Sequence, residues 1–474
     1  MGKATTKRCP HCQRLERRVT ALTEELGSLR AKVVRLQEQL ATAQKTSATS
    51  SKPPSSDIVK PPPPPAADAG PRSRGGQPGH DRHVRPLLPA EQLTEGPYTH
   101  ALERCPDCGH GLQPGTAAPR VVQQIDVREV PLVSVEHRSQ AGWCPQCRRH
   151  HYAPLPSGMA VGGLVGPRLT TLIAYMKGVC HASYSTVRKF LRDVVGIALS
   201  RGQLAKVIGK VTAALEASYQ EVYEQLGKQA LLNVDETGHK DNGEPWWTWC
   251  FRASLFTVFK IDPRRSGDVL IEVLGREFAG VLGCDYFSAY RRYMRECHVL
   301  VQFCLAHLIR DIKFLTTLPD ARDREYGERL REGVRELFRT IHVRDKLLPE
   351  VFAVFLEQAR RQVVKAATEG VPASRHGENM AQRFRAHGDA YFRFLTTPGL
   401  EPTNNLAEQA IRFVVIDRRI TQGTRSEGGQ RWCERIWTVI ATCCQRGRSV
   451  FAFLSQAVEA YFHKQPSPSL LANR

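Results

Sequence analysis

The chain of 474 residues lacks any apolar run of about 18 residues, the length that a membrane-spanning helix requires. Its first residues, MGKATTKRCPHC, lack the apolar core of an export signal, so we expect a cytoplasmic protein rather than a membrane or secreted one. Acidic residues are scarce, since 47 Asp and Glu stand against 67 Lys and Arg, a formal net charge of +20. This excess favours a polyanionic partner.

Disulfides are not expected either, because cysteine pairs in a chain without an export signal favour metal binding. Six of the 14 cysteines form Cys-Pro-x-Cys pairs: Cys9/Cys12, Cys105/Cys108 and Cys144/Cys147. The last two pairs flank VVQQIDVREVPLVSVEH, whose alternating pattern predicts two strands. Residues 95–156 are therefore predicted to form a small module in which these four thiolates hold structural Zn²⁺. Cys9/Cys12 could bind zinc across a dimer or remain reduced thiols.

Two segments precede this module. Residues 1–43 carry a heptad repeat, which comprises Leu15, Val19, Leu22, Leu26, Leu29, Val33, Leu36 and Leu40. The repeat predicts a coiled coil and therefore a homodimer or higher oligomer. The alternative is that this helix packs on its own chain. Residues 44–94 form a proline-rich, extended linker. Its basic end could contact DNA phosphates through Arg72, Arg74 and Arg82, or it could simply be solvated.

Residues 157–228 have a helical pattern, with Ser183 and Ser200 as predicted N-caps and Gly196 as a predicted stop. The short helix after Ser183 carries Arg188 and Lys189, which could contact DNA in a helix-turn-helix-like arrangement. A helical platform without DNA contact is the alternative.

Residues 229–450 predict an α/β domain. Three strand-like segments, a helix and further strand–helix units follow one another, which indicates a ribonuclease-H-like catalytic domain with a helical insertion at about 315–400. A C-terminal helix and tail occupy residues 451–474. Trp246, Trp247 and Trp249 are predicted sheet core, although an exposed tryptophan could stack on a base.

Asp235 and Asp285 each close an apolar strand in this domain. A carboxylate in an apolar setting is costly to ionise unless a cation meets it, and Mg²⁺ suits such ligands. Glu408 lies early in a helix that Asn404 or Asn405 would cap, and Arg412, Arg418 and Arg419 follow it. On its own, an acid at this position usually only favours the helix dipole.

The chain resembles the transposases of the insertion sequence 66 family, which carry an acidic triad of the DDE type. The resemblance is carried by the order of eight features: the leucine zipper, SSKPPSSD, RGGQPGH, the paired CxxC module, VDETG, GCDYFSAY, CLAHLIRD and NNLAEQAIR with its following GTRSEGG. It implies that Asp235, Asp285 and Glu408 form the triad and hold Mg²⁺ or Mn²⁺. Cys304-Leu-Ala-His307 recurs in such enzymes, so His307 could touch a phosphate or orient a metal-bound group; a buried structural pair is the alternative.

The resemblance further implies two-metal phosphoryl transfer, in which element ends are cut and then joined to target DNA. Double-stranded DNA, accessory proteins of the same element and a nucleoid-associated location follow as expectations. A non-catalytic, zinc-containing DNA-binding regulator and a ribonuclease-H-like nuclease are the rival hypotheses.

Overall fold

The computed structural model describes residues 9–46, 49, 87–93, 98–100, 103–104, 106–110, 121–123, 131–156, 159 and 164–472. The chain divides into two compact units, one of residues 61–136 and one of the remainder. None of the helices in these ranges is both long and apolar enough to cross a membrane.

In the smaller unit, the described residues include one short 3₁₀ turn, Ala90–Gln92. The side chain of Gln123 accepts a hydrogen bond from the Leu88 amide at 2.7 Å and donates to the Leu88 carbonyl at 2.9 Å. The described valines of the predicted strands, Val121, Val122, Val133 and Val135, are exposed. Residues 121–123 and 131–140 contain no strand, because an alternating pattern forms one only where a face is buried.

The larger unit begins with α1 (Pro10–Ala43), a 34-residue helix. Its eight heptad positions are all about half exposed, between 49% for Leu26 and 62% for Val19. Further along lies an antiparallel hairpin of β1 (Ala141–Cys144) and β2 (Arg149–Tyr152). This hairpin lies on either side of the Cys144/Cys147 pair, downstream of the stretch in which the sequence predicted two strands.

Four helices follow: α2 (Pro167–Gly178), α3 (Tyr184–Phe190), α4 (Arg201–Ala214) and α5 (Glu216–Tyr223). Ser183 caps α3 by accepting from the Thr186 amide, and Ser200 forms a capping box with Gln203 at α4, as the sequence predicted. Gly196 adopts a left-handed conformation, with φ of 86°, after a π-helical turn. Arg188 and Lys189 are exposed on α3.

A mixed five-stranded sheet forms the centre of the unit, in agreement with the α/β prediction. Its strands are β3 (Leu231–Asp241), β4 (Glu244–Arg252), β5 (Thr257–Asp262), β6 (Val281–Cys284) and β7 (Leu300–Phe303). The strand order is β5-β4-β3-β6-β7. The β3–β4 and β4–β5 pairs are antiparallel, whereas β3–β6 and β6–β7 are parallel.

Helices connect and cover this sheet. The connecting helices are α6 (Gly267–Leu274), α7 (Ser288–Cys297) and α8 (Leu305–Leu315). The segment predicted as an insertion contains α9 (Ala321–His342), α10 (Pro349–Thr368) and α11 (Arg375–His387). The chain then forms α12 (Asn405–Thr421), α13 (Glu427–Gln445) and α14 (Val450–Phe462).

Helix α13 covers the edge strand β5 with side-chain acceptors. Glu434 accepts from the Ile261 amide at 2.7 Å, and Thr438 and Thr442 accept from the next two outward-facing amides along β5, at 3.0 and 3.2 Å. These residues recur every four positions, so they share one face of the helix. The edge of the sheet is thereby closed to further strand pairing. Trp249 and Trp437 are fully buried, so Trp249 belongs to the core, as predicted.

Candidate metal centre

Asp235 and Asp285 lie where the parallel part of the sheet ends. The pairing of β3 with β6 runs from Leu231 to Asn233, and Asp285 immediately follows β6. The carboxyl ends of parallel strands are the usual position of sites in α/β sheets. The sequence predicted that β3 would end at Asp235; instead it continues to Asp241, because its second half pairs with β4.

The two aspartates are held in a region of unfavourable negative charge. Burial raises the pKa of Asp235 well above its ordinary value, and the charges of Glu236, Asp285 and Glu408 raise it further. Burial and the charge of Glu236 raise the pKa of Asp285 to about 7. A cation placed among these groups would relieve both effects.

Asn404, the N-cap residue of α12, positions Glu408 in this region. The Asn404 side chain donates to the Val234 carbonyl at 2.8 Å and accepts from the Asn233 side chain at 3.0 Å. Its backbone amide donates to Cys304 Sγ at 3.2 Å. The sequence identified Asn404 only as a possible helix cap; its side chain instead attaches the helix start to β3.

The carboxylate of Glu408 has two basic neighbours. His307 Nε2, in the first turn of α8, lies 3.7 Å from Glu408 Oε1, and an Arg310 nitrogen lies 4.0 Å from Oε2. Glu408 Oε1 and His307 Nδ1 are nevertheless buried without a hydrogen-bond partner. Burial lowers the pKa of His307, while the charge of Glu408 acts in the opposite direction. The structure therefore brings four of the predicted catalytic residues into one region.

The side chain of Glu236 lies on the opposite face of β3. Its carboxylate accepts two hydrogen bonds from Arg265, at 2.9 and 2.7 Å, and one from the Tyr290 hydroxyl. The Arg265 guanidinium packs over the rings of Trp247 and Phe287, at 4.4 and 4.0 Å from their centroids. Glu236 is thus already satisfied, which agrees with the alternation of side chains along a strand.

The predicted DNA-contacting residues divide into four groups. Arg412 and Arg419 are exposed on α12, the helix that carries Glu408. Arg418 is partly buried and donates to Thr237 Oγ1 at 3.0 Å, which attaches α12 to β3. Arg188 and Lys189 are exposed on α3, as given above. Arg72, Arg74 and Arg82 lie outside the described residues.

The zinc ligands are only partly described. Cys105 lies outside the described residues, Cys108 is exposed, and the side chain of Cys12 is not described, although Cys9 is exposed. The hairpin brings ligand atoms of Cys144, Cys147 and His151 within 4.8 Å of one another. Backbone and side-chain hydrogen bonding from Cys147 lowers the pKa of Cys144, which favours a thiolate. His151 was not predicted as a ligand from the sequence, although its position four residues after Cys147 was an available signal.

Comparison with known families now identifies the chain. A family model described as "Transposase IS66 family" matches residues 162–431, which is more than half of the 474 residues. The chain belongs to the IS66 family of transposases. Residues 7–86 match a second family, of unknown function.

The IS66 chain also resembles an uncharacterized protein, y4qI, of Sinorhizobium fredii. The two are 23% identical over 349 residues, which cover 67% of this chain and 63% of y4qI. The alignment thus spans less than two thirds of that relative. The family resemblance inferred from the sequence motifs is confirmed by the family match.

Proposed function

We propose that this IS66 transposase binds the ends of its element and catalyses metal-dependent DNA cleavage and strand transfer through Asp235, Asp285 and Glu408. The observation that carries the proposal is the convergence of carboxylates whose charges raise the pKa of Asp235. A buried, unpartnered oxygen of Glu408 adds an open ligand position. We take the domain around this sheet to be ribonuclease-H-like.

The donor set fits Mg²⁺ or Mn²⁺, which prefer hard oxygen ligands. Bound there, the metal would supply the positive charge that phosphoryl transfer requires at the attacking and leaving oxygens. Asp235 and Asp285 present their carboxylates from adjacent strands, and Asn404 holds the helix of Glu408 against β3. The Glu236–Arg265 pair braces β3 from its other face. His307 is available to contact a phosphate or to orient a bound group.

DNA would be held mainly by charge. Arg412 and Arg419 are exposed on the helix of Glu408, and Arg188 and Lys189 are exposed on α3. We expect Arg418 to support DNA contacts from its position against Thr237, and Arg72, Arg74 and Arg82 to add contacts from the linker. Affinity for DNA should therefore fall steeply with salt.

Two further features belong to the proposed assembly. The exposed heptad positions of α1 favour a coiled coil with a second copy, which sedimentation of the full chain with and without Leu22→Lys would test. Cys105, Cys108, Cys144 and Cys147 would hold structural Zn²⁺, for which His151 is a competing ligand. Cytoplasmic, nucleoid-associated action with accessory proteins of the element completes the proposal.

The decisive variant is Asp235→Asn, which removes a charge at nearly constant shape. With DNA from the element's own ends and Mg²⁺, we expect end binding within about twofold of the wild type. Cleavage should fall about a thousandfold, because several kcal/mol of metal-derived stabilisation is lost. Asp193→Asn, at an exposed aspartate on another element, is the matched control.

Each other outcome has a definite meaning. Unchanged cleavage by Asp235→Asn would refute the assignment of the triad. A wild-type protein that binds ends without cutting them would be a regulator, whereas cutting without joining would indicate a nuclease.

A further inference from the structure

A second set of metal-binding side chains adjoins the acidic triad. Ligand atoms of Cys304, His307 and Glu408 all lie within 4.8 Å of one another. Within the described part of the chain, this and the hairpin cluster are the two groups of that kind, and this one is the more buried. Glu408 thus stands in both the triad and the new set.

The three residues are held by well-defined backbone. Cys304 is the N-cap residue of α8, and its amide donates to the Cys284 carbonyl at 2.8 Å. His307 follows one turn later, and Glu408 is placed by Asn404. Cys304 Sγ accepts a hydrogen bond from the Asn404 amide at 3.2 Å. The set is therefore built from two helices, α8 and α12, whose starts are connected by Asn404.

Two buried polar atoms without hydrogen-bond partners indicate that a ligand binds here. Glu408 Oε1 and His307 Nδ1 are both buried without a hydrogen-bond partner, an arrangement that folded proteins generally avoid. A bound metal ion would satisfy Oε1 directly. It would also engage a ring nitrogen of His307 and the sulfur of Cys304, with release of the thiol proton.

The donor chemistry differs from that of the triad. A thiolate, an imidazole and a carboxylate suit Zn²⁺ and poorly suit Mg²⁺. Three protein ligands and one water would complete a tetrahedral site. Ligand atoms around zinc lie roughly 3.3–3.8 Å apart, given bond lengths of about 2.0–2.3 Å. Side-chain movements of about 1 Å would thus close the present arrangement.

We propose that Cys304, His307 and Glu408 form a Zn²⁺ site that shares Glu408 with the Mg²⁺ site, so that each metal weakens binding of the other. The sharing rests on the proposed function, whereas the zinc site itself does not. Occupation by zinc would withdraw Glu408 from the triad and hold the transposase inactive.

The zinc site is tested by counting tightly bound zinc ions on the full-length protein without DNA. Cys304→Ser should bind one ion fewer than the wild type, and Cys443→Ser, at a buried cysteine of α13, should bind the same number. Circular dichroism shows whether each variant folds. His307→Gln decides the question if Cys304→Ser does not fold. An unchanged zinc count in a folded Cys304→Ser or His307→Gln protein overturns the site.

The sharing is tested by titrating zinc in the presence of Mg²⁺. Millimolar Mg²⁺ should weaken zinc binding at this site about tenfold in the wild type. It should have no effect in Asp285→Asn, which lacks a triad ligand but keeps every zinc ligand. If the zinc affinity of the wild type is the same with and without Mg²⁺, the sharing of Glu408 is overturned. Failure to cleave DNA would instead contradict the proposed function and leave the zinc count unaffected.

Discussion

The hairpin cluster and the acidic end of the sheet are both candidate metal centres, but they depend on the fold in opposite ways. The hairpin has strands of four residues, and Cys144 is its only partly buried strand residue. Little apolar surface supports it, so a metal would have to stabilise the local fold. The carboxylates of Asp235 and Asp285 instead lie in a five-stranded sheet with a large core.

The sheet therefore has a cost in electrostatic free energy that the hairpin does not have. The packing of the sheet holds carboxylates close together even without a bound metal ion. The raised pKa values of Asp235 and Asp285 reflect the free-energy cost of ionising them there. Removal of metal should disorder the hairpin but leave the sheet folded. On the proposed function, metal would maintain the structure in the hairpin, whereas the structure would maintain a site for metal in the sheet.

Among the effects that test this comparison, the largest is expected on proteolysis of the hairpin. After treatment with a chelator, or in Cys144→Ser, tryptic cleavage at Arg148 and Arg149 should accelerate on the order of a hundredfold, because structural zinc contributes most of the local stability. Cleavage at Arg252, in β4, should not change. Site-specific peptides measured by mass spectrometry report both rates.

Cys180→Ser provides the control, because Cys180 is exposed and lies outside both clusters. Equal protease sensitivity with and without chelator would mean that the hairpin folds without metal, and the comparison would fail.

The sequence indicated the candidate acidic residues more directly than the residues that position them. Asp235 and Asp285 were recognisable because each follows a short apolar run, a signal that depends only on neighbouring residues. The continuation of β3 beyond Asp235 depends on pairing with β4, which a local pattern does not reveal. Glu408 needed the family resemblance, since acids are common in the first turn of helices.

The supports were missed because their partners are distant in the chain. Asn404 contacts Val234 and Asn233, about 170 residues earlier, so nothing near it in sequence indicates its role. Glu434, Thr438 and Thr442 would be taken for an ordinary polar face of a helix. Where it is described, the alternating valine stretch forms no strand for the converse reason, since its exposed valines have no surface to pack against.

An intermediate effect is expected from Asn404→Ala, which tests whether the fold maintains the acidic site. The change removes the side-chain contacts of α12 with β3 and leaves the Val234 carbonyl without its side-chain donor. The loss of a buried hydrogen bond costs about 1–3 kcal/mol, so the dissociation constant for Mg²⁺, measured by calorimetry, should rise about tenfold.

Asn405→Ala is the matched control, because Asn405 is the exposed neighbour at the first position of α12. Equal Mg²⁺ affinity in the two variants would show that Asn404 does not position Glu408. Saturation with Mg²⁺ should restore much of the cleavage by Asn404→Ala, which a variant that lacks a metal ligand should not show.

The last expected effect is on stability and concerns His239, a polar residue that β3 buries without any need for metal. Its Nε2 lies 3.0 Å from Thr424 Oγ1, and the Thr424 hydroxyl in turn donates to Asp241 at 2.7 Å. The hydroxyl therefore accepts from Nε2–H of a neutral ring, and Nδ1 has no partner. Burial, aided by the charge of Arg418 and opposed by that of Asp241, lowers the pKa of His239 to about 4.

This shift determines the sign of the pH dependence. Below the ordinary pKa of 6.5 the unfolded chain binds a proton that the folded chain refuses, so the free energy of unfolding falls as the pH drops from 6.5 towards about 4. The fall from this group is about 1 kcal/mol per pH unit and about 3 kcal/mol in all. His239→Gln keeps a donor near the position of Nε2 and does not titrate, so urea unfolding across this range should show a shallower decline. Parallel curves for the two proteins would mean that His239 takes up a proton in the fold as readily as in the unfolded chain, so that β3 would bury a charged histidine as well as its acids.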